Sequence, residues 1–127
     1  MSAFLKVHPG TVPEGASLKI AGTLKDENGT TLGSAAVGAL TLHLNNKATG
    51  AVVNGRNGAS ILNTAGGTLD VDGNFTLKLA PADMVILDPT LATEEREALI
   101  TWTYNGGADK GRLVFRFVVE NLAPVSA

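Results

Sequence analysis

The chain has 127 residues, of which 44% are hydrophobic and 17% charged, with 15 Gly, 5 Pro, no Cys and a formal net charge of -2. One domain fits this length, and size scaling, about 6,300 Å² of folded against about 19,000 Å² of unfolded surface, lets about two-thirds be buried without staples. The lack of Cys excludes a disulfide framework and thiolate metal clusters, the mild acidity offers nucleic acid no basic footprint, and no apolar run has the length of a membrane helix or a secretion signal.

Period-2 alternation recurs along the chain while period-3.6 stripes are nearly absent, which makes the class all-β. The first stretch, Ser2-Ala3-Phe4-Leu5-Lys6-Val7-His8, has two readings. It is the first strand of the domain's own sheet, or an arm whose Phe4, Leu5 and Val7 join a neighbour's edge by strand addition. From Ala16 to Lys25, Ala16, Leu18, Ile20 and Leu24 share one face, and Asp26-Glu27-Asn28-Gly29 then turns the chain. Leu40-Thr41-Leu42-His43-Leu44-Asn45 is a strict alternation, followed by a turn at Asn46–Gly50 and the run Ala51-Val52-Val53.

The Asn/Gly-rich stretch from Asn54 to Gly67 reads as a loop anchored by Ile61 and Leu62. Leu69 to Leu79 reads as a hairpin, with Leu69 and Val71 in one strand, a turn at Asp72-Gly73-Asn74, and Phe75, Leu77 and Leu79 in the other. Pro81-Ala82-Asp83-Met84 favours one short helical turn, which Pro89 keeps from continuing. Thr93-Glu94-Glu95-Arg96-Glu97 is polar and reads as another helical turn or a solvated approach to the next strand, where Ala98, Ile100, Trp102 and Tyr104 share a face. After a Gly-rich turn at Asn105–Gly111, Leu113, Phe115, Phe117 and Val119 alternate with Val114, Arg116, Val118 and Glu120.

About seven short strands, with turn signals at intervals of about 8–12 residues, predict an immunoglobulin-like β-sandwich with one short helical turn. A jelly roll or small barrel is the alternative. A single domain is expected over 1–127, with flexible ends at about 1–3 and 123–127, and with Phe75, Trp102, Phe115 and Phe117 facing inward.

No constellation of catalytic chemistry emerges. Asp70-Val71-Asp72-Gly73-Asn74 opens like a calcium loop, but Phe75 and Pro81 stand where an EF-hand needs Gly and Glu, so a hairpin turn is expected. His8 and His43 lie on different strands without metal-ligand spacing, and neither a metal nor a cofactor is predicted. Ser34 and Ser60 lie outside any G-x-S-x-G elbow, and the glycines form no phosphate cradle. Glu94-Glu95-Arg96-Glu97 reads as a solvated face rather than an acid/base dyad. In Asn54-Gly55-Arg56-Asn57-Gly58, Asn54, Arg56 and Asn57 read as a partner contact, since binding residues concentrate on loops and Arg is enriched at interfaces. The competing reading is a tight turn whose Arg pairs with a nearby carboxylate.

Several stretches together resemble the small Ig-like proteins encoded among the structural genes of tailed bacteriophages. They include Leu24-Lys25-Asp26-Glu27-Asn28-Gly29, Leu40-Thr41-Leu42-His43-Leu44 and Thr49-Gly50-Ala51-Val52-Val53-Asn54-Gly55-Arg56. Further along, Ile61-Leu62-Asn63-Thr64, Thr68–Phe75, Pro81–Leu87, Trp102-Thr103-Tyr104 and Arg116–Leu122 continue the likeness, which spans Val12 to Leu122. The resemblance implies a non-enzymatic virion protein that is made in the host cytoplasm and decorates the capsid, with a neck or tail subunit as the alternative. It implies virion partners, the major capsid protein or neck and tail subunits, with room for a homo-oligomer, while charge and hydropathy leave neither nucleic acid nor membrane as an expected partner. It carries over no catalytic residue. A carbohydrate- or receptor-binding module, suggested by the 54–67 loop, and a hydrolase are the competing function classes.

Overall fold

Alternation puts one face of each strand against the core and the other against water, and two sheets result. A computed structural model describes residues 4–122, with backbone only for residues 4–9. The ends expected to be flexible, 1–3 and 123–127, lie outside the described residues. Eight strands are present among the described residues: β1 (Phe4–Pro13), β2 (Leu18–Thr23), β3 (Val37–Asn46), β4 (Val52–Ser60), β5 (Gly67–Leu69), β6 (Asn74–Leu79), β7 (Thr93–Tyr104) and β8 (Asp109–Glu120). They form a five-stranded sheet in the order β1-β8-β7-β3-β4 and a three-stranded sheet in the order β2-β6-β5. The protein is therefore a two-sheet, sandwich-like all-β domain rather than a barrel.

The inner faces meet in one core that includes Ile20, Leu40, Leu42, Leu44, Phe75, Leu77, Ile100, Trp102, Phe117 and Val119. Phe75, Trp102, Phe115 and Phe117 are all buried, as their phase predicts. Ile61 is fully buried and Leu62 packs against the core, so both anchor their segment as expected. The register places Trp102 directly opposite Gly111. A Cβ on Gly111 would lie 2.2 Å from the indole, so the ring occupies the space that any other residue's side chain would need.

Three segments differ from the sequence reading. The Asn54–Ser60 stretch is not a loop but most of β4, an edge strand with register shifts against β3 and positive φ at Asn54, Gly55 and Gly58. Asn and Gly tolerate that conformation, so the strand bulges without breaking. Val71 is not in a strand: β5 ends at Leu69, and Val71 stands 76% exposed at the turn tip. The 93–97 run is neither a helical turn nor a solvated approach. It is the first half of β7, a central strand, with Glu94 and Arg96 buried on the same side as Ala98 and Ile100.

β1 pairs parallel with β8, from Phe4 opposite Leu113 to Pro13 opposite Glu120. The sandwich thus has two poles. The first, where β1 begins, gathers the turns at 25–31, 70–73 and 105–108, and the second, where β8 ends, gathers the turn at 47–50 and the crossing segment 80–92.

Candidate functional site

Between β6 and β7 the chain crosses the second pole as a strap. Pro81 and Pro89 each lack an N–H and hold φ near one value, which keeps the strap out of either sheet. It opens with the expected helical turn, a 3-10 turn over Pro81–Met84. Asp83 closes that turn by accepting the Ala80 N–H at 2.8 Å.

The strap takes its shape from buried polar side chains beneath it. The Asp83 carboxylate receives Arg56 Nε at 3.0 Å and Arg56 Nη2 at 3.1 Å, a bidentate pair, and also Asn54 Nδ2 at 3.0 Å. Arg96 donates from Nη1 to the Asp83 carbonyl at 3.3 Å, and from Nη2 to the Val85 carbonyl and to Glu94 Oε1, the latter at 2.5 Å. Glu94 in turn accepts the backbone N–H of Leu87 at 3.0 Å and of Asp88 at 2.6 Å. Asn121, just past β8, donates to the carbonyls of Pro89 at 3.1 Å and Leu91 at 3.0 Å. Asp83, Glu94 and Arg96 are almost wholly shielded from water, so each ion pair exists in a poorly screened environment where losing one partner strands the other charge.

Burial pushes the Asp83 carboxyl up, but the hydrogen bonds of Arg56, Asn54 and the Ala80 N–H outweigh it and hold the group below the usual carboxylate range. Glu94 behaves alike: burial raises it, and the Leu87 N–H, Arg96 and the Asp88 N–H lower it further.

The backbone is held from within, and the strap's side chains alternate in direction. Met84 is fully buried and Ile86 packs against the core, whereas Val85, Leu87 and Leu91 are exposed by 43%, 41% and 46%. Val52 and Leu122 flank them, so five of the six exposed large hydrophobics among the described residues lie at this pole. Asp88 on the strap and Lys47 on the neighbouring turn are exposed, Glu14 is half-buried and accepts the Leu122 N–H, and Glu95 and Glu120 project from the adjoining outer face of the five-stranded sheet. The chain matches no family model, no curated protein and no solved structure. The exposed apolar strap is therefore the feature that the molecule itself puts forward as a site.

The structure separates the predicted contact residues. Arg56 is turned inward onto Asp83 and also holds the Ala65 carbonyl at 3.1 Å, so the carboxylate-paired reading describes its surroundings. Asn54 is exposed but bonded to the same carboxylate, and Asn57 is exposed opposite His43 in the register of β4 on β3. Phe4, Leu5 and Val7 pair by backbone with Leu113, Val114 and Arg116 of the chain's own sheet, which leaves only the outer edge of β1 open to a partner. His43 is half-buried on the outer face of β3, and the side chain of His8 lies outside the described residues. At Asp70, one carboxylate oxygen accepts the N–H groups of Asp72 and Asn74, both at 2.9 Å, so the calcium-like stretch is a self-capped turn. Among the described residues no three His, Cys, Asp or Glu side chains converge as metal ligands.

Sequence reasoning missed Asp83, Glu94, Arg96 and Asn121. For Glu94 and Arg96 a signal existed: both share the parity of Ala98, Ile100, Trp102 and Tyr104, so extending that strand backward places them inside.

Proposed function

We propose that this chain is a non-enzymatic, Ig-like structural domain of a phage virion that works by docking in many copies, as a decoration protein on the assembled capsid. The strap carries the reading: buried ion pairs hold an irregular backbone so that Val85, Leu87 and Leu91 face water, an arrangement suited to protein contact. The Ig-like part is supported by strand order. The sheets β2-β6-β5 and β8-β7-β3-β4 correspond to the B-E-D and G-F-C-C′ arrangement of that fold, with β1 added beside β8. One departure is that the buried indole comes from β7 rather than β3. The virion context is supported by the resemblance of the Leu24–Leu122 motifs, and many copies on a symmetric shell convert a weak single contact into avidity.

In this reading the partner is the major capsid protein, the protein is made in the host cytoplasm, and its working location is the virion. A neck or tail subunit is the second placement. Glycan binding has less support, because Trp102 and Tyr104, its aromatic platforms, are both buried.

Mass spectrometry and cryo-electron microscopy of the purified particle test the proposal. Hundreds of copies place it on the shell, a single ring of copies places it at the neck, and absence from the particle overturns it. The Leu87→Ser, Leu91→Ser double variant is expected to fold and to be missing from the particle. Its normal incorporation would remove the strap from the docking surface.

A further inference from the structure

Four Asn-Gly steps occur in the chain, at Asn28, Asn54, Asn57 and Asn105. Such a step reacts with itself: the backbone nitrogen of the glycine attacks the asparagine side-chain carbonyl carbon, since no Cβ on the following residue blocks the approach. Folding holds three of them back. The Gly29 N–H donates to the Asp26 carbonyl at 3.1 Å, Asn54 Nδ2 to Asp83 at 3.0 Å and Asn105 Nδ2 to Asp109 at 2.8 Å. In each, either the attacking or the leaving nitrogen is already held in a bond.

The fourth step is built differently. In the register of β4 on β3, Ala59 faces Leu42 and Asn57 faces His43, so Gly58 is an extra residue without a partner, at φ 71°. A bulged residue stands outside the ladder, which leaves its N–H unclaimed by β3. Asn57 is exposed, and its side-chain amide has no hydrogen-bond partner among the described residues. A Cβ placed on Gly58 would stand 3.4 Å from His43 Cε1 and 3.5 Å from His43 Nε2, so the imidazole packs against the reacting glycine.

We propose that Asn57-Gly58 is a self-modification site at which His43 acts as the general base. His43 takes the Gly58 N–H proton as that nitrogen bonds to Asn57 Cγ, and hands it to Nδ2, which leaves as ammonia when the Cγ–Nδ2 bond breaks. Solvent water then opens the five-membered imide at either carbonyl, giving aspartate or isoaspartate at position 57. One water enters and one ammonia departs, with no change of oxidation state. The product places a new carboxylate on the β4 edge and takes the formal net charge from -2 to -3, a mark of the molecule's age. This site is independent of the strap and of the strap's partner.

Peptide mapping by mass spectrometry tests it, with the whole chain incubated at neutral pH either folded or in guanidinium chloride, so that amide-to-acid conversion is timed at all four steps at once. In denaturant the four should react at similar rates. Folding is expected to slow Asn28, Asn54 and Asn105 by about tenfold, the scale of one hydrogen bond retained, and to leave Asn57 the fastest step in the molecule. His43→Gln should slow conversion at Asn57 by about tenfold or more, as expected for loss of a positioned base. The other three steps report on the fold in the same sample, so a slowing confined to Asn57 separates a base from a merely structural residue. Should His43→Gln fail to fold, His43→Ala carries the same test, and free imidazole added to the buffer should restore its rate. Conversion at Asn57 no faster than at Asn28 in the folded chain overturns the proposal. Equal rates at Asn57 in the wild type and in a folded His43 variant overturn it as well.

Discussion

The two poles of the sandwich differ in how far their turns close on themselves. At the first, two turns carry local caps, Asp26 Oδ1 accepting the N–H groups of Asn28 and Thr30, both at 2.9 Å, and Asp70 doing the same for Asp72 and Asn74, while Trp102 Nε1 on the Lys25 carbonyl and the Tyr104 hydroxyl on Glu27 tie the first turn to β7. No bond in either cap spans more than four residues. At the second pole, Asp83 is held by Arg56 from 27 residues away, and the Leu91 carbonyl by Asn121 from 30 away. Local turns can form early and alone, whereas the strap takes its shape only after β4, β7 and the end of β8 have assembled. A surface presented by long-range contacts is thereby made conditional on the whole domain being folded.

The contrast can be broken most severely at Arg96. Arg96→Met leaves Glu94 charged and buried without its partner and frees two strap carbonyls, so a loss of about 3–5 kcal/mol is expected in urea unfolding. Hydrogen exchange should rise over 83–92 first, while the turns at 26–30 and 70–74 keep their protection. Arg56→Ala should cost about 3 kcal/mol, because Asn54 and the Ala80 N–H remain to serve Asp83. Adding Asp83→Ala should recover part of that loss, and a strictly additive double-mutant cycle would show that the pair is not coupled.

At the first pole the sensitive point is packing, not charge. Gly111→Ala drives a methyl into the Trp102 indole and should cost about 1–3 kcal/mol, visible in the thermal midpoint. Acid sharpens the comparison further. Asp83 and Glu94 have folded-state pKa values below their unfolded ones, so their contribution is fully present above about pH 5 and is lost as pH falls through the lower folded values. Exchange at the strap should therefore rise in that acid window, and a strap that stays protected there would contradict the assignment. The smallest effect belongs to the exposed side chains: Leu87→Ser should change stability by no more than about 0.5 kcal/mol, as measured by urea unfolding.

The same division explains what could be read from the residues alone. The Leu40-Leu42-Leu44 strand, the alternation of β8 and the helical turn at Pro81–Met84 are local patterns, and each stands where its pattern places it. Glu94 and Arg96 were hidden by their own charge, because four charged residues in a row read as solvated unless a strand's phase is carried backward through them. The Asn54–Ser60 strand was hidden by its glycines, which in an edge strand permit bulges rather than end pairing. Arg56 announced that it would need a carboxylate, but nothing within the surrounding residues identifies Asp83, which only the assembled pole brings within 3.0 Å.

The parallel ladder of β1 on β8 has a mechanical consequence. Residue 4 lies toward one pole and residue 122 at the other, so tension applied through them runs along the two strands rather than across them. The ladder is then loaded in shear, and its hydrogen bonds must yield together instead of parting one at a time as in an unzipping hairpin. A domain carried in a pressurised or vibrating assembly would be gripped by its strongest direction.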